Sequence, residues 1–364
     1  MKVTFPHMGK MYISVATMLE ELGFEVIVPP PITNKTLDLG VKYSPEYACL
    51  PLKLNLGNYI EALEKGADVI IMGGGVGPCR FGYYGKVQEE ILKDLGYEFE
   101  MVIIEPEQLK FENLFNTLKQ LVKNVDVLKL SSALKKAWAK AKVLDSFNQQ
   151  VNKTRPYLQD RKQGSVINKK LINEVTKAKE ITQIKAIAKK YEKKLEELEK
   201  RKNFKPLKIG IVGEIYVVLE QFTNLDLEKK LGEQGVLVDK SVYLTKWIRE
   251  HLFPKILVDN QKKKEVKKAA KPYLNHFVGG HGQESVGETV LYNQKGYDGV
   301  IQLFPFTCMP EIIAENVFPA LSKELDLPIL TLSIDEHTGE AGYVTRIEAF
   351  IDLLKRRQES EVII

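Results

Sequence analysis

Short apolar strands alternate with amphipathic helices in two stretches of the chain, and this alternation most restricts the folds open to the sequence. In the first stretch the predicted strands are Val3–Pro6, Glu25–Pro29, Asp68–Met72 and Phe99–Ile104. Helical spacing fills the intervals, and Gly23 ends the first helix. Apolar strands separated by helices are typical of a parallel sheet covered on both faces.

The same alternation returns after a long helical middle. Strands are predicted at Lys208–Gly213, Val236–Val238, Gly299–Leu303 and Pro328–Ser333. The middle carries helical spacing at Leu114–Val122, Ala133–Gln149 and Asn168–Arg201, the last being one long helix or a helical pair. We therefore predict an α/β fold with two Rossmann-like parallel-sheet domains, residues 1–106 and 207–364, joined by a helical insertion, residues 107–206.

Composition indicates a water-soluble globular protein. Of the 364 residues, 44% are hydrophobic and 28% charged, and the net charge is +5. No apolar run approaches the ~20 residues that a membrane span needs, and the N-terminus lacks a signal-peptide pattern, so we expect a cytoplasmic protein with no membrane partner. Acidic residues are interleaved with the lysines of the basic runs, which favours solvated helix faces over nucleic-acid binding.

The three cysteines share one context, a loop immediately before a predicted helix. Cys49, Cys79 and Cys308 all have this placement, and Pro51 and Pro310 each stand two residues further on, where proline suits a helix start. A helix N-terminus stabilises a thiolate. An odd number of cysteines in a reducing compartment argues against a disulfide framework. These residues therefore predict a metal site.

Several identities are open for that site. A lone cysteine is most often a small buried hydrophobe, although none of these three lies inside a strand or helix. Zinc would need a fourth ligand, which His281 or His337 could supply. The cysteines are 30 and 229 residues apart, unlike a zinc ribbon. A 4Fe-4S cube on three thiolates would leave one iron open to water or substrate.

Glycines mark two turns that follow predicted strands. Gly74, Gly75 and Gly77 resemble a phosphate-binding loop, but their spacing matches no phosphate fingerprint. We interpret them as cofactor-binding positions that let the backbone approach a cluster closely. The segment 209–214 is a strand and turn of the kind that lines a ligand crevice. A metal-free nucleotide-binding protein is the alternative that these turns alone would favour.

A glycine-rich polar segment, 279–288, offers one set of acid–base groups. His281, Glu284 and Ser285 could face a ligand or donate protons. The alternative is a surface turn before a helix that Ser285 caps. We select His281 as a candidate catalytic residue.

The segment 335–342 follows a buried strand and offers a second set. We select His337 and Glu340 as candidate catalytic residues and Arg346 as a group that binds an anionic ligand. In this interpretation Thr345 and Arg346 open the last helix. The alternative is that Thr345 merely caps the helix and Arg346 faces outward.

Four motifs together resemble one protein family. They are Tyr47-Ala-Cys-Leu-Pro-Leu-Lys, Gly73-Gly-Gly-Val-Gly-Pro-Cys-Arg-Phe-Gly-Tyr-Tyr, Phe304-Pro-Phe-Thr-Cys-Met-Pro-Glu and Asp335-Glu-His-Thr-Gly-Glu-Ala-Gly. The family is the iron–sulfur subunits of 2-hydroxyacyl-CoA dehydratases and benzoyl-CoA reductases. The resemblance is nearest to the relatives described as CoA-substrate-specific enzyme activase-related proteins, which are akin to the double-cubane cluster proteins.

The resemblance implies a 4Fe-4S cluster held by Cys49, Cys79 and Cys308 between two Rossmann-like domains. It also implies a partner, a separate ATP-hydrolysing activator that delivers an electron at very low potential. In the family this electron reaches a thioester carbonyl and leads to reduction or dehydration of an acyl-CoA. A small-molecule substrate is the other expectation that we retain.

Two departures from the family limit what is carried over. The chain shows no distinctive CoA-binding motif, and the double-cubane proteins need more than three thiolates, so we expect a single cube. The alternative function is a non-catalytic iron–sulfur carrier, maturation factor or redox sensor. A homodimer also stays open.

Overall fold

A computed structural model describes residues 1–75, 77–105, 126–252 and 261–362 of the chain. The helix predicted at Leu114–Val122 lies outside these residues. The chain divides into two compact units. The first comprises Met1–Asp145, Glu174–Ile187 and Leu244–Val258, and the second Ser146–Asn173, Ala188–Tyr243 and Asp259–Ile364.

The first unit is built on a four-stranded, all-parallel sheet. Its strands are β1 (Lys2–Thr4), β2 (Glu25–Val26), β3 (Val69–Gly73) and β4 (Glu100–Ile104), in the order β2-β1-β3-β4. The register of β3 against β4 runs from Val69 opposite Glu100 to Gly73 opposite Ile104. Neighbouring strands β1 and β3 lead to opposite sides of the sheet order, so a topological switch point lies at their carboxyl ends.

Four helices of this unit connect or follow the strands. They are α1 (Met11–Leu22), α2 (Asn34–Tyr43), α3 (Leu50–Glu64) and α4 (Phe81–Asp94). Gly23 ends α1, as predicted. Its φ of 95° lies in the left-handed region, which glycine adopts at no steric cost. Leu56, Tyr59 and Met72 lie in a buried core cluster beneath α3 and β3.

The sequence predicts only a loop over Asp38–Ala48, and this prediction is partly wrong, because α2 extends to Tyr43. α2 is capped by Thr33, whose side chain accepts a hydrogen bond from the Thr36 N–H. The helix packs closely on α3. A Cβ at Gly40 would collide with the carbonyl of Lys53, and one at Gly57 with the carbonyl of Thr36. Glycine at both crossings therefore permits backbone-to-backbone approach.

The helical middle of the chain is confirmed. Its described helices are α5 (Val127–Thr154), α6 (Lys162–Lys177) and α7 (Ile181–Glu196). The long amphipathic segment is thus a helical pair, with α6 and α7 separated by a short turn. The buried residues of the pair recur at helical spacing on one face of each helix and include Leu171, Val175, Ile184 and Tyr191.

The second unit repeats the sheet topology of the first. Its strands are β5 (Lys208–Gly213), β6 (Leu237–Lys240), β7 (Gly299–Pro305) and β8 (Ile329–Ile334), all parallel and ordered β6-β5-β7-β8. The helices of this unit are α8 (Ile215–Leu219), α9 (Leu227–Glu233), α11 (Gln261–Ala270), α12 (Gly282–Gln294), α13 (Met309–Leu325) and α14 (Glu340–Val362), whereas α10 (Leu244–Leu252), which follows β6 in the chain, belongs to the first unit. The predicted α/β fold with two parallel sheets is therefore confirmed.

Two helix starts differ from the prediction. α14 begins at Glu340 rather than at Thr345, so Thr345 and Arg346 lie in its second turn. α12 begins at Gly282, so Ser285 lies inside the helix and does not cap it. In the described residues, no helix is long and apolar enough to cross a membrane.

Candidate functional site

Cys49 is the residue that immediately precedes α3. It is the N-cap of the helix, and Pro51 lies in the first turn, as the sequence predicted. The side chain is buried, and its Sγ contacts the hydroxyl of Tyr84 from α4. A phenolic O–H can donate to a sulfur, so Tyr84 is placed to stabilise negative charge on Cys49. Nothing in the sequence pattern pointed to Tyr84, because it lies 35 residues from Cys49.

Cys79 lies two residues before α4, whose N-cap is Arg80. The Arg80 guanidinium donates to the carbonyl oxygen of Tyr47 at 3.0 Å. Tyr47 is two residues from Cys49, so this hydrogen bond joins the loop of Cys79 to the loop of Cys49. Within the first unit, the structure thus brings the segments of two predicted ligands together.

The glycines before Cys79 allow close packing at the end of β3. A Cβ at Gly74 would come within 2.5 Å of the Glu105 carboxylate, and one at Gly75 within 3.1 Å of the Phe81 ring. Gly77 has a φ of 121°, which side-chain-bearing residues rarely adopt. These contacts account for the glycines by packing and backbone conformation, and whether they also bind a cofactor stays a prediction.

Cys308 occupies the corresponding position in the second unit. It is the N-cap of α13 and follows β7, with Pro310 in the first turn. Its N–H donates to the carbonyl of Pro305 at 2.8 Å, and its own carbonyl accepts from Ile312 N at 2.9 Å. Both backbone bonds belong to a regular helix start, where the thiolate benefits from the helix dipole.

Two glutamates lie at the carboxyl ends of the neighbouring strands β5 and β7. Glu214 caps α8 by accepting from the N–H groups of Tyr216 and Val217, each at 3.0 Å. Glu311, in the first turn of α13, is fully buried. The backbone N–H of Glu214 donates to Leu303 of β7 at 2.9 Å. This is the topological switch point of the second sheet, where ligands bind in open α/β folds.

Burial raises the pKa of both carboxyls, because it favours the protonated, uncharged form. It raises the pKa of Glu214 to about 7, against two opposing backbone hydrogen bonds. It also raises the pKa of Glu311 to about 7, and the negative charges of Glu214 and Glu284 add to this effect. Hydrogen bonds from Gln302 and Ser285 oppose it. The sequence quoted both glutamates within motifs but gave neither a role, because their burial depends on residues distant in the chain.

His281 is the N-cap residue of α12, and most of its side chain is buried. Its Nε2 lies 4.0 Å from a carboxylate oxygen of Glu284, one turn along the helix. Ser285, from the same segment, is buried and donates to Glu311 at 3.0 Å. The segment 279–288 is therefore a packed helix start, not a surface turn capped by Ser285.

The loop after β8 holds His337, another sequence candidate. The Asp335 carboxylate accepts from the N–H of His337 at 3.0 Å and from the hydroxyl of Thr338 at 2.9 Å. The loop thus presents His337 at the carboxyl end of β8, on the surface. This placement agrees with the expected edge of the sheet, while a catalytic role for His337 stays a prediction.

Glu340 and Arg346 are both engaged within the second unit. Glu340 pairs with Lys230 at 2.5 Å, and this partner lowers the pKa of the Glu340 carboxyl. Arg346 donates to the carbonyl of Thr331 at 2.6 Å. Thr345 donates to the Ala341 carbonyl at 2.9 Å, so it does not cap α14. These contacts give Glu340 and Arg346 structural partners that the sequence did not show.

The three thiols have the chemistry that an iron–sulfur cluster needs. None of the three forms a disulfide, and each lies within two residues of a helix start. Cys49 and Cys79 belong to the first unit and Cys308 to the second. Throughout the described ranges, no group of three or more His, Cys, Asp or Glu side chains is arranged to hold a metal ion. Thiolates are the donors that an iron–sulfur cluster takes, while the assembly of these three into one site stays a prediction.

A model of a known protein family matches the N-terminal part of the chain. Residues 6–73 match the family model described as CoA enzyme activase uncharacterised domain (DUF2229). This segment extends from the end of β1 to the end of β3 and contains Cys49, but neither Cys79 nor Cys308. No curated protein matches the chain. The N-terminal region thus carries a domain associated with CoA enzyme activases.

Proposed function

We propose that Cys49, Cys79 and Cys308 hold a 4Fe-4S cluster that accepts low-potential electrons from an ATP-hydrolysing activator protein. The electrons serve the reduction or dehydration of an acyl-CoA or a small-molecule substrate. The observation that carries the proposal is that three cysteines outside any disulfide each lie at a helix start next to a parallel sheet. The match of residues 6–73 to a CoA enzyme activase domain supports the choice of redox system.

The helix starts supply the electrostatics for thiolate ligands. Unpaired N–H groups and the helix dipole favour negative charge, and cysteine binds metal as the thiolate. Tyr84 adds a hydroxyl beside Cys49, and hydrogen bonds to cluster sulfurs tune the reduction potential. A cluster held through three thiolates has one iron without a cysteine, and that iron can accept a substrate oxygen. We assign this chemistry to the cluster and the positioning of its ligands to the helices.

Proton transfer would fall to side chains at the same edges of the sheets. His281 and His337 remain our candidates, because imidazole exchanges protons near neutral pH. Glu340 is the weaker candidate, since its salt bridge with Lys230 stabilises the carboxylate. Arg346 would have to leave the Thr331 carbonyl to bind an anionic ligand.

Anaerobic reconstitution tests the ligand set. We expect the protein to bind about four irons and four sulfides and to show an EPR signal after reduction. Each of the variants Cys49→Ser, Cys79→Ser and Cys308→Ser should lose most of the iron. Ala48→Ser, which alters the residue beside Cys49, is the matched control and should load normally. A wild-type preparation that binds no iron without oxygen present would overturn the proposal.

The engagement of Glu340 and Arg346 with protein partners favours one alternative, a non-catalytic iron–sulfur carrier, maturation factor or redox sensor. Mixing the loaded protein with an apo-ferredoxin distinguishes the two functions. A carrier transfers its iron within minutes, whereas a reductase or dehydratase keeps it and is reduced by an activator in the presence of ATP.

A further inference from the structure

Glu311 is an ionisable side chain that is fully buried. It lies in the first turn of α13, the helix that follows Cys308. One carboxylate oxygen accepts from the hydroxyl of Ser285 at 3.0 Å. The other accepts from the side-chain amide of Gln302 at 2.9 Å. Burying a carboxyl is costly unless hydrogen bonds compensate, so these contacts hold Glu311 in one orientation.

The partners of Glu311 come from two different elements. Ser285 lies on α12 and Gln302 on β7, and both are at most 2% exposed. The same Gln302 nitrogen also donates to the backbone carbonyl of Glu311 at 3.0 Å. We call Ser285, Gln302 and Glu311 the Glu311 triad. It fastens the first turn of α13 both to the strand beside it and to the neighbouring helix.

Close packing reinforces this attachment. A Cβ on Gly282 would collide with the carbonyl of Pro310, and one on Gly280 would come within 3.3 Å of the Pro310 ring. Gly280 also has a φ of 44°. Two glycines of the segment 279–288 therefore allow the backbone of this segment to pack directly against the helix start that follows Cys308.

Ordinary helix capping does not explain Glu311. A glutamate at the third helical position often reaches back to the N–H of the N-cap residue. Here the N–H of Cys308 is already bonded to the Pro305 carbonyl at 2.8 Å. The carboxyl is directed instead to Ser285 and Gln302, away from its own helix.

We propose that the Glu311 triad positions Cys308 by holding the first turn of α13 in a single orientation. Glu311 is a positioning residue in this account, because it acts through the helix start and not on a substrate. The role in metal binding rests on the proposed function, whereas the restraint on α13 does not. The two parts are therefore testable separately.

Hydrogen exchange of the metal-free protein tests the restraint. In Glu311→Ala we expect the backbone amides of residues 311–314 to exchange about tenfold faster, because hydrogen bonds worth over 1 kcal/mol are lost. Glu311→Gln should restore protection, since the oxygen of the new amide can accept from Gln302 and its nitrogen can donate to the Ser285 hydroxyl. Glu315→Gln, one turn further along α13, is the matched control.

The EPR spectrum of the reconstituted cluster tests the metal part. We expect Glu311→Ala to broaden or shift the signal, while Glu311→Gln and Glu315→Gln keep the wild-type spectrum. If the alanine variant does not fold, Ser285→Ala, which removes one of the contacts, takes its place in both measurements. Unchanged exchange in the variant that removes the contacts would overturn the restraint. Faster exchange with an unchanged spectrum would overturn the role in positioning the ligand, and a wild-type protein without iron would overturn the proposed function alone.

Discussion

Single side chains determine how the second unit responds to pH. Within the described part of the chain, the side-chain donors to the Glu311 carboxyl are Ser285 and Gln302, and both are neutral. Neutral donors offset part of the burial cost of a carboxylate; the remaining cost, together with the negative charges of Glu214 and Glu284, raises the pKa of Glu311 to about 7. The folded protein therefore holds a proton on Glu311 at pH values where the unfolded chain does not.

This residue predicts a pH dependence of stability in the metal-free protein. Because the folded pKa lies above the ordinary value near 4.5, the contribution of Glu311 is complete below pH 4.5 and is lost as the pH rises through 7. We expect wild type to lose about 3 kcal/mol over this window relative to Glu311→Gln, which cannot ionise. Urea unfolding midpoints at pH 4.5, 6 and 8 measure the difference. Glu315→Gln should follow wild type, and parallel curves for wild type and Glu311→Gln would contradict the expectation.

Tyr84 should act on the potential of the proposed cluster. Its hydroxyl contacts Cys49 Sγ, and a hydrogen bond to a ligand sulfur stabilises the more negative, reduced state. We expect Tyr84→Phe to load iron normally and to have a more negative reduction potential in an anaerobic EPR titration. The control is Tyr83→Phe, because that neighbouring side chain is 74% exposed. Equal potentials in the two variants would argue against the hydrogen bond.

At the scale of helices and strands, α2 and α3 form the tightest described crossing of the first unit. The approach depends on Gly40 and Gly57, each of which faces a carbonyl of the other helix. Backbone packing this close leaves no space for a methyl group. A side chain there must push the helices apart, and the buried contacts beneath α3 would loosen.

Gly57→Ala should therefore destabilise the protein despite the higher helix propensity of alanine. We expect a loss of about 1–3 kcal/mol, the usual cost of overpacking, in urea-induced unfolding. Gly342→Ala in α14 is the matched control, because nothing lies within 4 Å of the added Cβ. That variant should gain up to about 1 kcal/mol from helix propensity. Similar free energies of unfolding for the two variants would contradict the close packing of α2 on α3 at Gly57.

The elements that sequence predicted well have strong local patterns, and those it missed do not. The central strands β3, β5 and β7 are largely apolar runs, so their positions followed directly. The fully buried positions of α2 are Thr36 and Gly40, so the face that it buries lacks the large apolar residues that mark a helix in sequence. Gly339 and Gly342 lie close to the start of α14, and glycine is a poor helix former, so the sequence pattern did not show that start.

The candidate site was predictable only in part, for a related reason. Each cysteine could be recognised as a candidate ligand from a proline, glycine or strand close to it in the chain. The contacts of Glu311 reach Gln302 and Ser285, 9 and 26 residues away, and Tyr84 reaches Cys49 across 35 residues. Such contacts depend on strand order and helix packing, which local sequence does not encode.

Across the whole molecule, one sheet topology is used twice. Both sheets are all parallel, and each places its first strand second in the order, beside its third. Each unit therefore has a switch point at the carboxyl ends of its two central strands. Cys79 follows one central strand and Cys308 follows the corresponding strand of the other sheet. The predicted ligands thus occupy equivalent places in two copies of one architecture.

Because the three thiols differ in exposure, the distance between the two units can be measured with labels on the natural cysteines. Cys49 is buried, whereas Cys79 and Cys308 are partly accessible and lie one in each unit. Brief treatment with a nitroxide reagent should thus tag one position per unit, with no engineered site. Dipolar coupling between the two tags then reports how far apart the units stand and how that separation varies. Metal that occupies both sulfurs would block the tagging, so the same reaction also counts vacant protein.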